Sequence, residues 1–423
     1  MTSALDGDAH SDAGPLTEDD AASHIRGICF KIGPPQRVGV ELEWLVRDAR
    51  DPALPVGPAR VKAALAGLDS PGALPARGCL TIEPGGQLEL SSLPAASVGD
   101  CVADAARDMA AVTEAVRAAG LRLCGHGLDP LRPPLRLLDS PRYAAMEEFF
   151  DRSGPAGRIM MCSTASVQVC LDAGEDGTGG RSYRGRWHLL HAIGPVMVAA
   201  FANSPLCQGR PTGWRSTRQA IWANLDPGRT KPPQGTRRPG PADIRSQWAD
   251  YALDAELMCL RRAGTDSWAA PPGMTFRDWL VRRDAERRPT LGDLDYHLST
   301  LFPPVRPRGY LELRMIDAQP ADGWVVPTAV VWAVLSDSLA SEAALAAAEP
   351  LSAGHGDPWL RAARQGPADA SMARAIRACF EAAESALRRS RVPASLLRAV
   401  ADFAERYVHR DRCPADDLLE EPA

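Results

Sequence analysis

Three short segments of the sequence place carboxylates or amides at alternate positions within otherwise apolar, strand-like runs. They are Glu41-Leu42-Glu43, Glu83-Pro84-Gly85-Gly86-Gln87-Leu88-Glu89 and Glu312-Leu313-Arg314. Side chains two residues apart on a strand lie on the same face of the sheet, so the polar groups of each segment are predicted to project together. If the three strands are neighbours, their carboxylates repel one another unless divalent cations lie between them. The pattern predicts a metal and phosphate site.

Each segment also has an ordinary structural explanation. Glu41 and Glu43 alone could form the solvent-facing edge of an amphipathic strand, and Glu312 with Arg314 could form a cross-strand ion pair. The Pro84-Gly85-Gly86 insert favours a site, because it bends the chain before the polar alternation resumes. An arginine beside metal-bound carboxylates suits a phosphoryl group or a substrate carboxylate, since a guanidinium binds two oxygens at once.

Further polar groups occur at positions that could line such a site. Residues Met160 to Leu171 predict a strand with one apolar face and one polar face, the polar face being Thr164, Ser166 and Gln168. Asn203 precedes Ser204-Pro205 at a predicted helix end, and helix termination is its alternative explanation. Arg218, and Arg229 within a loop at 228–241 rich in proline, glycine and arginine, are candidate anion contacts, with solvation as the alternative.

Composition excludes several classes of function. The net charge of -5 and the pI of about 6.0 predict no general attraction to nucleic acid or anionic membranes. The sequence contains no phosphate-binding loop and no dinucleotide-binding glycine motif. The sequence has ten cysteines without C-x-x-C pairs, shows no signal peptide and contains no apolar run of about 20 residues. We therefore predict a soluble cytoplasmic protein that acts on small molecules. His126 has no partner at metal-ligand spacing and is not predicted to be catalytic.

The chain is predicted to form one large domain. Residues 1–20 are acidic and polar, which predicts a disordered tail, and residues 411–423 are predicted to be a C-terminal tail after a single catalytic domain at 21–410. Thr17 and Asp20 resemble a helix start. A strand is predicted at Val38–Val46, and helices at Val61–Ala66, Val102–Ala119, Trp187–Ala202, Ile244–Arg261, Val330–Ala348, Ala370–Arg388 and Pro393–Tyr407.

Taken in order, five motifs resemble the glutamate-cysteine ligase family of plants and proteobacteria. They also resemble the ligases of the actinobacterial ergothioneine pathway. The motifs are Val38–Glu43, Ile82–Ser91, Ser166–Val169, Phe201–Pro205 and Tyr310–Arg314. Further support comes from Trp214–Trp222, Asp250–Asp254 and His297–Pro303. The resemblance extends from Val38 to Ser336.

The resemblance implies an α+β fold like that of glutamine synthetase, with a curved antiparallel sheet, helices on its convex side and a helical C-terminal region. It implies that ATP, L-glutamate and L-cysteine give gamma-glutamylcysteine, ADP and phosphate, by phosphorylation of the gamma-carboxyl and displacement by the cysteine amine. Roughly two or three Mg2+ ions would be bound by Glu41, Glu43, Glu83, Glu89 and Glu312. Substrates would be oriented by Gln87, Thr164, Ser166, Gln168, Asn203 and Tyr251. Phosphate or carboxylate would be bound by Arg218, Arg229 and Arg314.

The sequence departs from the family pattern at two positions on the polar strand. Cys170 stands where an asparagine is expected, and Ser163 stands where a basic residue is expected. The resemblance therefore leaves open which residues contact the substrate L-cysteine. The 228–241 loop with Arg229 and Tyr251 is predicted to hold that acceptor. The alternatives are a carboxylate-amine ligase with another amine acceptor, a metal-dependent hydrolase in which Glu41 and Glu312 activate water, and a metabolite-binding protein without activity. ATP consumption that requires both glutamate and an amine distinguishes the ligases from the rest.

Overall fold

A computed structural model describes residues 15–68, 70–233, 243–262, 264–265, 267–282 and 287–420. In these ranges the strands are β1 (Val38–Asp48), β2 (Cys79–Ile82), β3 (Leu88–Ser91), β4 (Leu121–Cys124), β5 (Ser166–Asp172), β6 (Leu206–Cys207), β7 (Arg210–Pro211), β8 (Val305–Pro307) and β9 (Tyr310–Asp317).

The helices of the described ranges fall into two groups. Those that precede β8 are α1 (Glu18–Cys29), α2 (Pro58–Ala64), α3 (Val98–Ala118), α4 (Pro141–Asp151), α5 (Ala156–Ser163), α6 (Tyr183–Ala200), α7 (Thr217–Ala223), α8 (Pro227–Thr230), α9 (Ile244–Asp254), α10 (Phe276–Val281) and α11 (Leu291–Leu298). Those that follow β9 are α12 (Val325–Ser336), α13 (Ser338–Ala348), α14 (Pro358–Gln365), α15 (Ala370–Arg389), α16 (Ala394–Arg406) and α17 (Pro414–Glu420). Short 3₁₀ segments occur at Ala321–Trp324, Glu349–Ala353, Gly366–Ala368 and Val408–Arg410.

One antiparallel sheet organises the molecule. Its strand order is β2-β3-β1-β5-β9-β8, and β4 pairs with the far end of β1. The apolar residues of β1 alternate with polar ones, so that Val40, Leu42 and Trp44 are buried in the core. The pairing of β5 with β9 is irregular between Val167 and Val169, which is the mark of a β-bulge.

Helices cover the apolar face of this sheet. Helices α3, α6 and α12 pack against β1, β9 and β5 respectively, and α15 and α16 pack behind α12. Phe380 and Phe403 stack on each other, and their contacts with the tilted ring of Phe201 join the C-terminal helices to the end of α6. The predicted α+β class, with an antiparallel sheet backed by helices and a helical C-terminal region, is therefore confirmed.

The structure describes part of each predicted tail, and the described parts are folded. The predicted helix start is present, because Thr17 and Asp20 form a reciprocal capping box, and α1 therefore begins at Glu18 within the predicted tail. Residues 1–14 lie outside the described part of the chain. At the other end, α17 is helical, the Ala415 amide donates to the Ala202 carbonyl at 2.9 Å, and Arg215 pairs with Asp416 at 2.8 Å. The C-terminal segment is thus packed onto the domain.

Three predicted elements are wrong at their boundaries. The segment at Met160–Ser163 is the end of α5 rather than strand, because its apolar residues pack in a second core with α4. Helix α9 ends at Asp254, and the next residues run extended and bridge Glu256 to Thr275. The predicted helix at Val330–Ala348 breaks at Asp337, whose side chain caps α13.

In the described part of the chain, no single helix has the length and apolar character needed to cross a membrane. The segments Ala321–Ser336 and Ser338–Ala353 meet that test only together, with a bend of 105° between them.

Candidate active site

The predicted polar groups come together because their strands are neighbours in the sheet. In the strand register, Glu43 on β1 is opposite Glu89 on β3, and Glu41 on β1 is opposite Gln168 on β5. The next pair outward joins Cys170 on β5 to Glu312 on β9. Since the intervening apolar residues are buried in the core, these polar side chains share the opposite face. The adjacency predicted from the sequence is therefore present.

A tight turn joins β2 to β3 and places Glu83 beside this face. The Gly86 amide donates to the Glu83 carbonyl at 2.8 Å, and Gly86 has a φ of +84°, which glycine adopts without strain. A Cβ atom at Gly85 would lie 2.0 Å from the Cys162 carbonyl oxygen. The Pro84-Gly85-Gly86 insert is thus required for close packing of the turn against the end of α5.

Gln87 and Thr164 hold this turn and helix together instead of facing the site. The Gln87 side chain accepts from the Gly85 amide at 3.0 Å and donates to the Thr164 carbonyl at 2.9 Å. The Thr164 hydroxyl donates to the Met160 carbonyl at 2.7 Å. With their polar groups used in this way, the structure gives both residues a supporting role and not the predicted substrate contacts.

The carboxylates on the β1 and β3 side of the face repel one another. Burial, followed by the charges of Glu312 and Glu89, raises the pKa of Glu41 to about 8. Burial, with Glu89 and Glu43, raises the pKa of Glu83 to about 8. Burial and the charge of Glu43 raise the pKa of Glu89 as well. This acidic half, defined as Glu41, Glu43, Glu83 and Glu89, lacks enough positive charge of its own.

Arginines dominate the β8 and β9 side of the face. Glu312 is fully buried, and Arg306 donates to its two oxygens at 2.8 and 3.2 Å. Arg314 also pairs with Glu312, and Arg308 lies 3.6 Å from it. Burial alone would raise the pKa of Glu312, but Arg306, Arg314 and Arg308 outweigh burial and lower it to about 2. These three arginines and Glu312 form the basic half of the face.

Gln168 joins the two halves. Its amide nitrogen donates to Glu43 Oε1 at 2.8 Å, and its amide oxygen accepts from Arg314 Nη1 at 2.5 Å. The side chain is 1% exposed, so these bonds are shielded from water. Hydrogen bonds therefore link Gln168 to Glu43 and Arg314, and all three were predicted as site residues.

The acidic half fits a hard divalent cation by its chemistry. All four of its side chains offer carboxylate oxygens, the donors that Mg2+ prefers, and a cation would offset the repulsion that raises three of their pKa values. Among the residues that the structure describes, no three His, Cys, Asp or Glu side chains are already arranged around one point for an ion. Arg306 donates to both oxygens of Glu312, so arginine competes with the predicted role of Glu312 as a metal ligand.

Arg218 approaches the same face from α7. Its guanidinium donates to the Arg314 carbonyl at 2.8 Å and lies over the Trp222 ring, 4.6 Å from its centroid. Within the described residues its Nε and Nη1 have no hydrogen-bond partner, although the side chain is 1% exposed. Asp317 is its nearest anion, at 3.8 Å. These two unpaired buried donors suit an oxyanion, and the contact of Arg218 with an anion stays a prediction.

Asn203 acts as a structural tie and not as the predicted substrate contact. Its side chain donates to the Gly125 and Ala318 carbonyls, each at 2.7 Å. The backbone amide of Asn203 donates to the Asp317 carboxylate at 2.9 Å, and the Ser204 and Ser216 hydroxyls donate to the same carboxylate. This network fixes the loop that leads into α7 and therefore positions Arg218.

Three further predicted residues make no hydrogen bond to the acidic half in the described part of the chain. Arg229 is fully buried, and each of its three guanidinium nitrogens already donates within the protein, to Asp226, to Thr300 and to the Glu256 carbonyl. Tyr251 stacks on Trp248, and its hydroxyl has no partner among the described residues. Ser166 is opposite Asp317, and its buried hydroxyl is likewise without a described partner. Of the predicted acceptor loop, residues 234–241 lie outside the described ranges.

Sequence reasoning missed four charged groups. Arg306 and Arg308 alternate through Val305-Arg306-Pro307-Arg308, so the two-residue period that identified Glu312 also marks them. Arg142 on α4 helps to lower the pKa of Glu83 against the effect of burial. Asp317 ends β9. Only packing between distant segments brings these last two residues to the site.

Comparison with solved structures shows which class of fold this is. A glutamate–cysteine ligase from Francisella tularensis, solved in complex with AMP, matches with a TM-score of 0.52, covering 92% of this chain and 86% of that chain at 13% identity. A bifunctional glutathione synthetase from Pasteurella multocida matches with a TM-score of 0.50, covering 95% of this chain and 51% of that chain at 14% identity. The fold is therefore that of glutamate–cysteine ligases.

Sequence comparison gives the particular family. Residues 37–422 match the model of glutamate-cysteine ligase family 2, and the chain belongs to that family of ligases. Glutamate–cysteine ligase EgtA of Mycobacterium tuberculosis is 39% identical over 98% of this chain and 93% of the relative, and EgtA of Mycolicibacterium smegmatis is 39% identical over 95% and 90%. A chloroplastic glutamate–cysteine ligase of Medicago truncatula is 32% identical over 57% and 47%. The family predicted from the motifs is confirmed.

Proposed function

We propose that this enzyme joins the gamma-carboxyl of L-glutamate to the amine of L-cysteine with ATP, giving gamma-glutamylcysteine, ADP and phosphate. Nearly full-length identity of 39% to relatives named glutamate–cysteine ligase supports this reaction. The structural observation that carries the proposal is the single sheet face on which an acidic half and a basic half are joined by Gln168. One half suits cations and the other suits phosphoryl or carboxylate oxygens.

The reaction needs activation because a carboxylate is a poor electrophile. An oxygen of the gamma-carboxyl forms a bond to the terminal phosphorus of ATP while the bond from that phosphorus to ADP breaks. The cysteine nitrogen then forms the amide bond, phosphate leaves with the oxygen, and the amine loses a proton. Negative charge gathers between ATP and glutamate in the first step, so catalysis depends on neutralising it.

The two halves of the face divide this task in our proposal. The acidic half, Glu41, Glu43, Glu83 and Glu89, would hold Mg2+, which supplies charge neutralisation to the phosphate groups when bound. Arg314, held by Gln168, and Arg218, with its spare donors, would bind the oxygens that change charge. Glu312 would keep Arg306 and Arg314 in place instead of ligating metal.

One observation favours a related function, a carboxylate-amine ligase with another acceptor. Cys170, where the family pattern predicts asparagine, lies between Gly39 and Glu312 on the polar face. A hydrolase in which Glu312 activates water is disfavoured, because a carboxylate with a pKa of about 2 is a weak base. The ten cysteines are all free thiols, which supports our proposal of cytoplasmic action. We propose ergothioneine synthesis as the pathway that the enzyme serves.

Product analysis tests the proposal. The protein is incubated with ATP, Mg2+, glutamate and a panel of amines, and the products are identified by mass spectrometry. We expect gamma-glutamylcysteine together with ADP, and neither without glutamate. A different gamma-glutamyl amide as the preferred product would support the second candidate, and ADP release that is independent of glutamate would refute both.

A further inference from the structure

The basic half of the polar face has more positive charge than its own carboxylate neutralises. Arg306, Arg308 and Arg314 all lie within 4 Å of Glu312, which carries a single negative charge. A surplus of guanidinium groups at a substrate face suits an anion that arrives with the substrates.

The three arginines differ in how far the protein already uses them. Arg306 is buried and donates to Glu312 and to the Leu301 carbonyl at 3.1 Å. Arg314 has a side chain that is 12% exposed and donates to Gln168 and Glu312. The Arg308 side chain is 48% exposed and lies 3.6 Å from Glu312, beyond hydrogen-bond distance. Arg308 is therefore the member of the basic half with donors accessible from solvent.

Arg308 is also held on a fixed turn. Its amide donates to the Tyr310 carbonyl at 2.8 Å in the connection from β8 to β9. The next residue, Gly309, has a φ of +83°, and its amide donates to the Cys29 carbonyl at the end of α1 at 2.7 Å. The turn is thus attached to a helix as well as to the sheet, which limits the freedom of the Arg308 backbone.

We infer that Arg308 is a substrate-binding residue that contacts an oxyanion, supplied either by the phosphate chain of ATP or by a carboxylate of glutamate. Its guanidinium binds two oxygens of such a group while Glu312 keeps Arg306 and Arg314 beside it. This inference rests on the proposed function, because it assigns the anion to a substrate of that same site.

Direct binding measurements test Arg308 without relying on turnover. Calorimetry with Mg2+ present measures the affinity of the full chain for inorganic tripolyphosphate and, separately, for glutamate. The variants are Arg308→Gln, Arg308→Lys and, as a matched control, Arg122→Gln, an exposed arginine on β4. Loss of a charge-assisted hydrogen bond is expected to weaken one of the two ligands about 10- to 100-fold in Arg308→Gln. Arg308→Lys should recover part of the affinity, and Arg122→Gln should match the unchanged protein.

The pattern of loss identifies the source of the oxyanion. Weaker tripolyphosphate binding assigns Arg308 to the nucleotide, and weaker glutamate binding assigns it to the carboxylate; the corresponding KM should rise with little change in kcat. The inference is overturned if Arg308→Gln binds both ligands as the unchanged protein does, or if the unchanged protein binds neither. A protein that binds tripolyphosphate through Arg308 but makes no gamma-glutamyl product would refute the proposed function alone.

Discussion

Arg314 and Gln168 are joined by a hydrogen bond of 2.5 Å between Nη1 of the arginine and Oε1 of the glutamine. The bond lies where the pairing of β5 and β9 is irregular, and the other end of the same amide donates to Glu43. An amide can do this because its carbonyl oxygen accepts hydrogen bonds while its NH2 group donates them. Gln168 therefore sets the orientation of a carboxylate and a guanidinium at once.

Replacing Gln168 should reduce activity more than stability. Gln168→Leu puts an apolar side chain of similar size in place of the amide and removes both hydrogen bonds, so Glu43 and Arg314 lose their common partner. We expect kcat/KM to fall about 10- to 100-fold, the range for hydrogen bonds to charged groups. Steady-state kinetics measure this, with Gln365→Leu at the exposed end of α14 as the control. Activity within twofold of the unchanged protein would show that the bridge has no part in catalysis.

Neutralising one member of the acidic half should abolish turnover without harming the fold. Glu43→Gln or Glu89→Gln removes an oxygen ligand in the metal-bound protein but relieves repulsion in the metal-free protein. The melting temperature without metal is expected to be unchanged or higher, while product formation is lost. Glu381→Gln, exposed on α15, is the control. A sharply lower melting temperature with activity retained would assign these residues to structure.

The stability of the metal-free protein should fall as pH rises from about 5 to about 8. The pKa values of Glu41 and Glu83 are about 8 in the folded state, against an ordinary value of 4.5. Between these values the folded state binds more protons than the unfolded state, so the free energy of unfolding decreases with pH. Chemical denaturation at a series of pH values measures the slope, which Mg2+ or Glu83→Gln should reduce. Stability that rises over this range would contradict the assignment.

Asp317 should be required for folding stability because it compensates a buried guanidinium. Asp317→Asn leaves Arg218 without its nearest anion, and breaking a buried pair in this way costs about 3–5 kcal/mol. Denaturant titration should show a loss of this size, whereas Asp322→Asn, which is exposed, should cause almost none. A loss below about 1 kcal/mol, the scale of an exposed pair, would show that the contact between Arg218 and Asp317 is unimportant.

The sequence predicted those parts of the site that depend on strand periodicity. Glu41, Glu43, Glu89 and Glu312 share a face because each occupies alternate positions on a paired strand, and that spacing is visible without a structure. Gln168 was predicted in the same way. Local patterns do not contain the order of the strands in the sheet, which only the structure provides.

Other parts of the site depended on competition between nearby groups. Gln87 and Asn203 have suitable chemistry for substrates, but neighbouring carbonyls take their amide hydrogens. The sequence predicts Glu312 as a metal ligand, but Arg306 lies opposite it in the strand register and donates to both of its oxygens. Such competition depends on contacts between residues far apart in the chain, so spacing along the sequence could not decide it.

We expect the enzyme to transfer the terminal phosphoryl group of ATP to the gamma-carboxyl of glutamate. Glutamate labelled with 18O in that carboxyl tests it most directly, because the carboxyl oxygen that receives the phosphoryl group must leave with phosphate when the amide forms. Mass spectrometry of the phosphate made with ATP, Mg2+ and cysteine should show one 18O atom per phosphate. Phosphate without 18O, formed alongside gamma-glutamylcysteine, would contradict the acyl phosphate route.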